Sequence, residues 1–295
     1  MLIVSRFSLP KNFRALIILI AAALSILFTP EVFSQNAPKP APVATSTTIS
    51  PAAKPDASAW SLGLGLEYSE NVAQQEEGPK ESGIELLIAP GLKINETFSA
   101  GLISSLLQAS TGDKKPELSN TQLSLSMKGW APSDAVTTLH SAATILPTSI
   151  ASRETDRLKS SIGITNGLSI AVSPRFTVIY KLGLNRNFHE FTINADGRAN
   201  VEYRLSNSLD LKLAITEKVS LVTTGIYRQG RTYQGFERQD FQFHGDINYD
   251  FLENLTMNVG TSNEGAAMKA NGVDSNISVY DEKSTIWRFG ISATL

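Results

Sequence analysis

Apolar and polar residues alternate along most of the chain after Ala59. Trp60, Leu62, Leu64, Leu66 and Tyr68 share one parity, with Ser61, Gly63, Gly65 and Glu67 between them. A strand sends successive side chains to opposite faces, so each such run predicts a strand with one apolar and one polar face. Comparable runs start near Ile84, Phe98, Leu123, Thr137, Leu158, Phe176, Val201, Val219, Phe241 and Leu255. The last, Ser284 to Leu295, places Trp287, Phe289, Ile291, Ala293 and Leu295 on one face. Arg288, Gly290, Ser292 and Thr294 lie on the other. Pro90 lacks a ladder N–H and predicts a bulge. Asn166 falls on the apolar parity of its run, and a second bulge is one way to accommodate it.

The turns give an independent count. Ile94–Phe98, Val172–Phe176, Ile215–Val219 and Phe251–Leu255 each hold three mostly polar residues between two apolar ones. Ala131–Ala135 occupies the remaining place, and the five recur at intervals of about 40 residues, the signature of repeated hairpins. Between them lie the longer polar segments 69–82, 109–121, 146–157, 187–200, 228–240 and 262–283. The count is about 12 strands, the even number a closed bacterial barrel needs. Two further turn-like stretches, Ile164–Leu168 and Leu205–Leu209, would raise it to about 14. The pieces they cut off fall short of the roughly 9–11 residues a membrane crossing takes.

Short turns at one end, long loops at the other and a closing strand ending on its apolar face resemble the Gram-negative outer-membrane β-barrel proteins. No specific family is matched, and the last residue is Leu295 where members usually carry an aromatic. The resemblance implies an all-β, transmembrane, antiparallel up-and-down barrel over residues 59–295. It also implies a cell outer-membrane location, and recognition of the C-terminal strand by the barrel-assembly machinery. Residues 1–34 read as a signal peptide: Arg6, Lys11 and Arg14 precede the apolar stretch Ala15–Phe28, and small residues stand near Gln35. Residues 35–58, rich in Ala, Pro, Ser and Thr, read as a disordered periplasmic tether.

Composition narrows the chemistry. The 295 residues include no cysteine, which excludes disulfides, thiolate metal sites and a cysteine nucleophile. Charged residues make up 18%, and the net charge of −2 shows no basic patch for nucleic acid. In a barrel the apolar rows face lipid and the polar rows face the lumen. The lumen then receives Glu67, Lys93, Lys128, Lys181, Glu202, Arg204, Lys212, Arg228, His244, Asp246, Asp250 and Arg288, with Glu85, Lys159 and Asp210. The lipid face receives the aromatics Trp60, Tyr68, Tyr203, Tyr227, Tyr249, Trp287 and Phe289, side chains that favour membrane interfaces. On these rows Ile291→Arg, facing lipid, should harm folding more than Gly290→Arg, facing the lumen.

No catalytic or cofactor motif is found. His140 and Ser141 are neighbours on a strand and point apart. His189 lies beside Glu190 near the long-loop rim but has no motif like those of outer-membrane phospholipases or proteases. His244, Asp246, Asn248 and Asp250 share one face and could hold a divalent cation only if a neighbouring strand added a ligand; the ordinary reading is a polar row facing Arg228 or Asn258. Three functions follow in order: a small porin-like passive channel for small polar solutes, a structural or surface-interaction barrel, and a hydrolase. The oligomeric state is left open.

Overall fold

The computed structural model describes residues 59–72, 81–110, 115–268, 274–282 and 284–295. The expected signal peptide and tether lie outside the described residues. The strands are β1 (Trp60–Asn71), β2 (Ser82–Lys93), β3 (Phe98–Ala109), β4 (Glu117–Leu118), β5 (Thr121–Met127), β6 (Val136–Leu146) and β7 (Leu158–Ser173). The second half holds β8 (Phe176–His189), β9 (Val201–Ala214), β10 (Val219–Thr232), β11 (Glu237–Leu252), β12 (Leu255–Ala266) and β13 (Ile286–Thr294). Each pairs antiparallel with its neighbours, and β13 pairs with β1 from Gly63–Thr294 to Asn71–Ile286, so the sheet closes. Leu62 and Leu295 extend the seam with two backbone hydrogen bonds, of 3.0 and 2.9 Å.

The short β4 is part of β5. Both pair with β3, where Leu106 faces Leu118 and Ile103 faces Gln122. Three steps on β3 thus match four on its partner, and the extra residue makes a bulge at Ser119-Asn120. The wall is therefore a closed antiparallel barrel of 12 strands. The 14-strand alternative fails because β7 and β9 run unbroken past Asn166-Gly167 and Asn207.

Neither expected bulge forms. At Pro90 the register is the same on both sides, Ile88–Ser104 and Gly91–Gly101; only the rungs between are missing, where proline has no N–H to give. At Asn166 the strand keeps its alternation, and its shifts fall at its two ends instead. Asn166 is simply left on the outer face, where its Oδ1 lies 2.8 Å from His140 Nδ1 of β6.

Burial assigns the faces. Ile162 and Ile247 are 55% and 54% exposed, whereas Arg288 and Asp210 are 4% and 5% exposed. In water this is inside out; in hydrocarbon it is the favourable arrangement, since the closed ladder leaves no barrel strand edge unpaired. The expected interface aromatics follow. Trp60, Tyr68, Tyr203, Tyr249, Trp287 and Phe289 are exposed. Tyr227 is half-buried, its hydroxyl donating to Gln239 Oε1 at 2.9 Å.

The short turns are closed by side chains that accept backbone N–H groups. Asn95 Oδ1 accepts from Thr97 and Phe98 at 2.8 Å each, and Thr216 Oγ1 accepts from Lys218 and Val219. At the other end, the segment 228–240 is mostly strand. β10 and β11 continue to a tight turn at 233–236, because polar pairs such as Arg228–Asp240 hold a ladder as readily as apolar ones. Thr232 Oγ1 accepts from Phe236 N–H, and Gly235 takes the left-handed φ of 86°. A π-helical turn at Ala151–Thr155, which the sequence pattern does not announce, joins the neighbouring loops. Asn120 Nδ2 donates to Ser152 Oγ at 2.7 Å, Ala195 N–H to Thr155 O at 2.8 Å, and Tyr233 N–H to Asn200 O at 3.1 Å. Among the described residues four of the long loops of this side, 109–121, 146–157, 187–200 and 228–240, are thus joined in one hydrogen-bonded collar.

Candidate functional site

The inward face is divided into two arcs by charge. On β8 to β13 and on to β1 and β2, long charged side chains project inward. Lys181 Nζ pairs with Asp210 Oδ2 at 2.7 Å. Arg228 Nη1 donates to Asp240 Oδ1 at 2.8 Å, its Nη2 bonds Gln242 Oε1, and Gln242 Nε2 donates to Glu264 Oε2 at 3.1 Å. Arg288 is the centre of a further cluster. Its Nη2 lies 3.2 Å from Asp246 Oδ1, its Nη1 3.0 Å from His244 Nδ1, and its Nε 3.3 Å from Glu67 Oε1. A cavity of about 20 Å³ lies beside this cluster between Glu67, Glu85, Leu87 and Asn258, room for a single water.

This cluster resolves the His244–Asp250 row. A neighbouring strand does add a group, but it is the guanidinium of Arg288, which arrives as a cation and takes both His244 and Asp246. Among the described residues no group of three or more His, Asp or Glu is placed to hold a metal. Asn258 of β12, one of the two expected neighbours, stands opposite Asn248 of the row, while Arg288 answers His244 and Asp246. The sequence signal for this contact was Gly260, which lies between Asp246 and Arg288 in register. A Cβ there would collide with Asp246 Oδ1, so the missing side chain lets the bridge cross β12.

On β3, β5, β6 and β7 the inner wall is different. β3, β5 and β6 contain no Asp, Glu, Lys or Arg, and β7 contains only Lys159. Their inward positions combine small or hydroxyl side chains with Ile103, Leu107, Gln122, Leu139 and Ile145, and Glu117 of β4 stands opposite Leu107. Ser99, Ser126, Ser141 and Thr165 form one row across the four strands. All but Ser99 are half-buried, and Ser99 is exposed.

The other expected lumen residues divide. Lys212 is half-buried on the charged arc, as is Arg204, whose Nε is buried without a hydrogen-bond partner. Lys93, Lys128 and Asp250 are exposed at the short-turn end, Asp250 accepting Thr256 Oγ1–H at 2.7 Å. Glu202 does not join the lumen set. It sits at the register shift where Tyr203 pairs Arg231 and Val201 pairs Thr232, which turns its carboxylate to Arg186 Nη2 at 3.1 Å. Arg186 is on the outer face, 5.1 and 5.2 Å from the ring centroids of Phe188 and Tyr203. Lys159 pairs with Glu190 at 2.9 Å on the rim, and its ammonium holds the Glu190 carboxyl below the usual carboxylate range. That leaves His189 packed edge-on against Tyr233, with centroids 5.8 Å apart and Nδ1 buried without a partner.

The solved structures with this architecture include the NanC porin, with a TM-score of 0.52 at 9% identity, covering 79% of this chain and 100% of that one. An outer-membrane channel from Pseudomonas putida F1 aligns with a TM-score of 0.57 at 9% identity, covering 80% of this chain and 96% of that one. The chain shares the closed β-barrel fold of these proteins. At these identities the likeness is one of fold. No family model matches the chain, and no curated protein matches it. The barrel's outward apolar belt suits a lipid bilayer, as in outer-membrane barrels of this architecture.

Proposed function

We propose that the barrel is a passive channel for small polar solutes. The observation that carries this reading is the division of the lumen. One wall carries long charged side chains, most of them paired, and the inward face of β3, β5 and β6 carries uncharged ones, many of them short, with Ile103, Leu107, Leu139 and Ile145 among them. Twelve strands lie between the eight that fill their own interior and the 16–18 that leave a wide channel. The uncharged arc then decides whether space remains. Hydroxyls along that arc can replace water around a polar solute without holding it tightly. The fold likeness to a porin and to an outer-membrane channel supports the same reading. In this reading β13, which closes the seam with β1, is also the segment offered to the assembly machinery.

Purified protein in planar bilayers tests it. Stepwise, voltage-tolerant conductance increments are the expected result; a membrane that stays silent while unheated protein is folded and inserted would overturn it. A hydrolase has less support, since His189 packs on Tyr233 and Glu190 is held by Lys159.

A further inference from the structure

We infer that the long-loop end of the lumen holds an oxyanion subsite, formed by Arg204 of β9 and Arg238 of β11 across Gly230 of β10, for a carboxylate or phosphate group. The channel reading supplies the route by which such a group arrives.

The register sets the geometry. Arg204 pairs with Gly230, and Gly230 pairs with Arg238, so the two arginines stand in one inward row with no side chain between them. Neighbouring strands are about 4.8 Å apart, so the two backbones are about 10 Å from each other and their side chains can converge over the glycine. A Cβ on Gly230 would approach Val201 Cγ1 to 3.0 Å, so the row is tight as well as bare.

Among the described residues that act on this pair, positive charge outnumbers negative. Arg204 and Arg238 interact electrostatically with Arg228 and Arg198, respectively, and Arg204 also with Arg238. The carboxylates acting on the cluster are Asp156, from the collar, and Asp240. Asp240 is engaged by Arg228. Among these described residues four guanidinium groups face two carboxylates. Arg204 Nε is buried without a hydrogen-bond partner, a costly state for a charged donor. An oxyanion supplies what is missing: acceptors for that N–H, and negative charge between like-charged neighbours. The planar guanidinium fork matches carboxylate and phosphate oxygens two at a time, which makes these groups the fitting class.

The test is calorimetric titration of the folded barrel, in zwitterionic detergent at constant ionic strength, with sodium phosphate in one arm and sodium acetate in the other. Saturable binding in either arm is expected, and the arm that binds names the group. Arg204→Gln and Arg238→Gln should each weaken it about tenfold, the loss of one charge-assisted pair. Lys218→Gln, in an exposed short turn, should leave it unchanged. Arg238 is exposed, so its variant folds even where the Arg204 variant does not. No saturable binding in either arm, or equal binding in wild type and the arginine variants, would overturn the subsite. Binding without conductance would sink the channel reading alone; conductance without binding would sink the subsite alone.

Discussion

Arg288 of β13 reaches across Gly260 of β12 to Asp246 of β11, closing an ion pair of 3.2 Å over a strand that contributes no side chain of its own. The three carboxylate and guanidinium side chains of the cluster, on Arg288, Asp246 and Glu67, are 3%, 16% and 11% exposed. Removing the cation would strand two carboxylates in a closed region of the lumen. Arg288→Met should therefore cost about 3–5 kcal/mol, the usual penalty for breaking a buried pair from one side. Gly260→Ala should also destabilise, because its methyl displaces Asp246. Urea unfolding in liposomes, followed by tryptophan fluorescence, measures both. Wild-type stability in Arg288→Met would mean the cluster is held by water rather than by the arginine.

On the outer face, His140 and Asn166 form a polar pair in the band that meets lipid, and His140 Nε2 also lies 3.0 Å from Thr138 Oγ1. Losing one partner leaves the other unsatisfied away from water. Asn166→Leu alone should cost about 1–3 kcal/mol, whereas His140→Leu with Asn166→Leu should be near neutral or stabilising. A double-mutant cycle in the same unfolding assay decides. Additive single and double effects would show that the pair contributes nothing as a unit.

Adjacent positions on β5 separate the two faces. Leu125 is 45% exposed on the outside, and Ser126 is half-buried inside. Leu125→Arg should cost about 2–4 kcal/mol, the penalty for a cation on a barrel's lipid face near mid-bilayer. Ser126→Arg should fold and should reduce single-channel conductance by filling the small-residue wall. Equal folding yields for the two would reverse the assignment of faces. The comparison at Ile291 and Gly290 is less clean, since a Cβ on Gly290 would meet Asn258 Oδ1 at 2.5 Å. Gly290→Arg is therefore accommodated only once the Asn258 side chain swings aside, a steric demand that the alternation alone cannot reveal.

Short-turn closure can be tested at Asn95, whose side chain satisfies two N–H groups at once. Asn95→Ala should lower stability by about 1–2 kcal/mol in the unfolding assay, the net value of two exposed hydrogen bonds. An unchanged midpoint would mean that water replaces the asparagine fully.

Strands and short turns were legible because both rest on local chemistry. Period-two alternation in the 241–251 and 285–295 stretches, and an apolar residue on either side of each turn, need no knowledge of distant residues. The lumen was less so. Its row of His244 and Asp246 was visible, but the group that answers it comes from 42 residues away through a gap left by a glycine. Glu202 was misplaced because a single register shift reverses a side chain's direction, and shifts leave little trace in an alternation pattern. The collar was missed for the same reason: Asp156 and Asn194 are ordinary loop residues until the barrel brings their loops together.

In the proposed channel, charged side chains gathered on one flank would set up a transverse electric field. A zwitterion or a strongly dipolar sugar passing through would be turned broadside, with its charged edge toward Lys181, Arg288 and their partners and its neutral edge sliding along the serines of β3, β5 and β6. Stereochemistry, and not size alone, would then govern which passengers travel fastest.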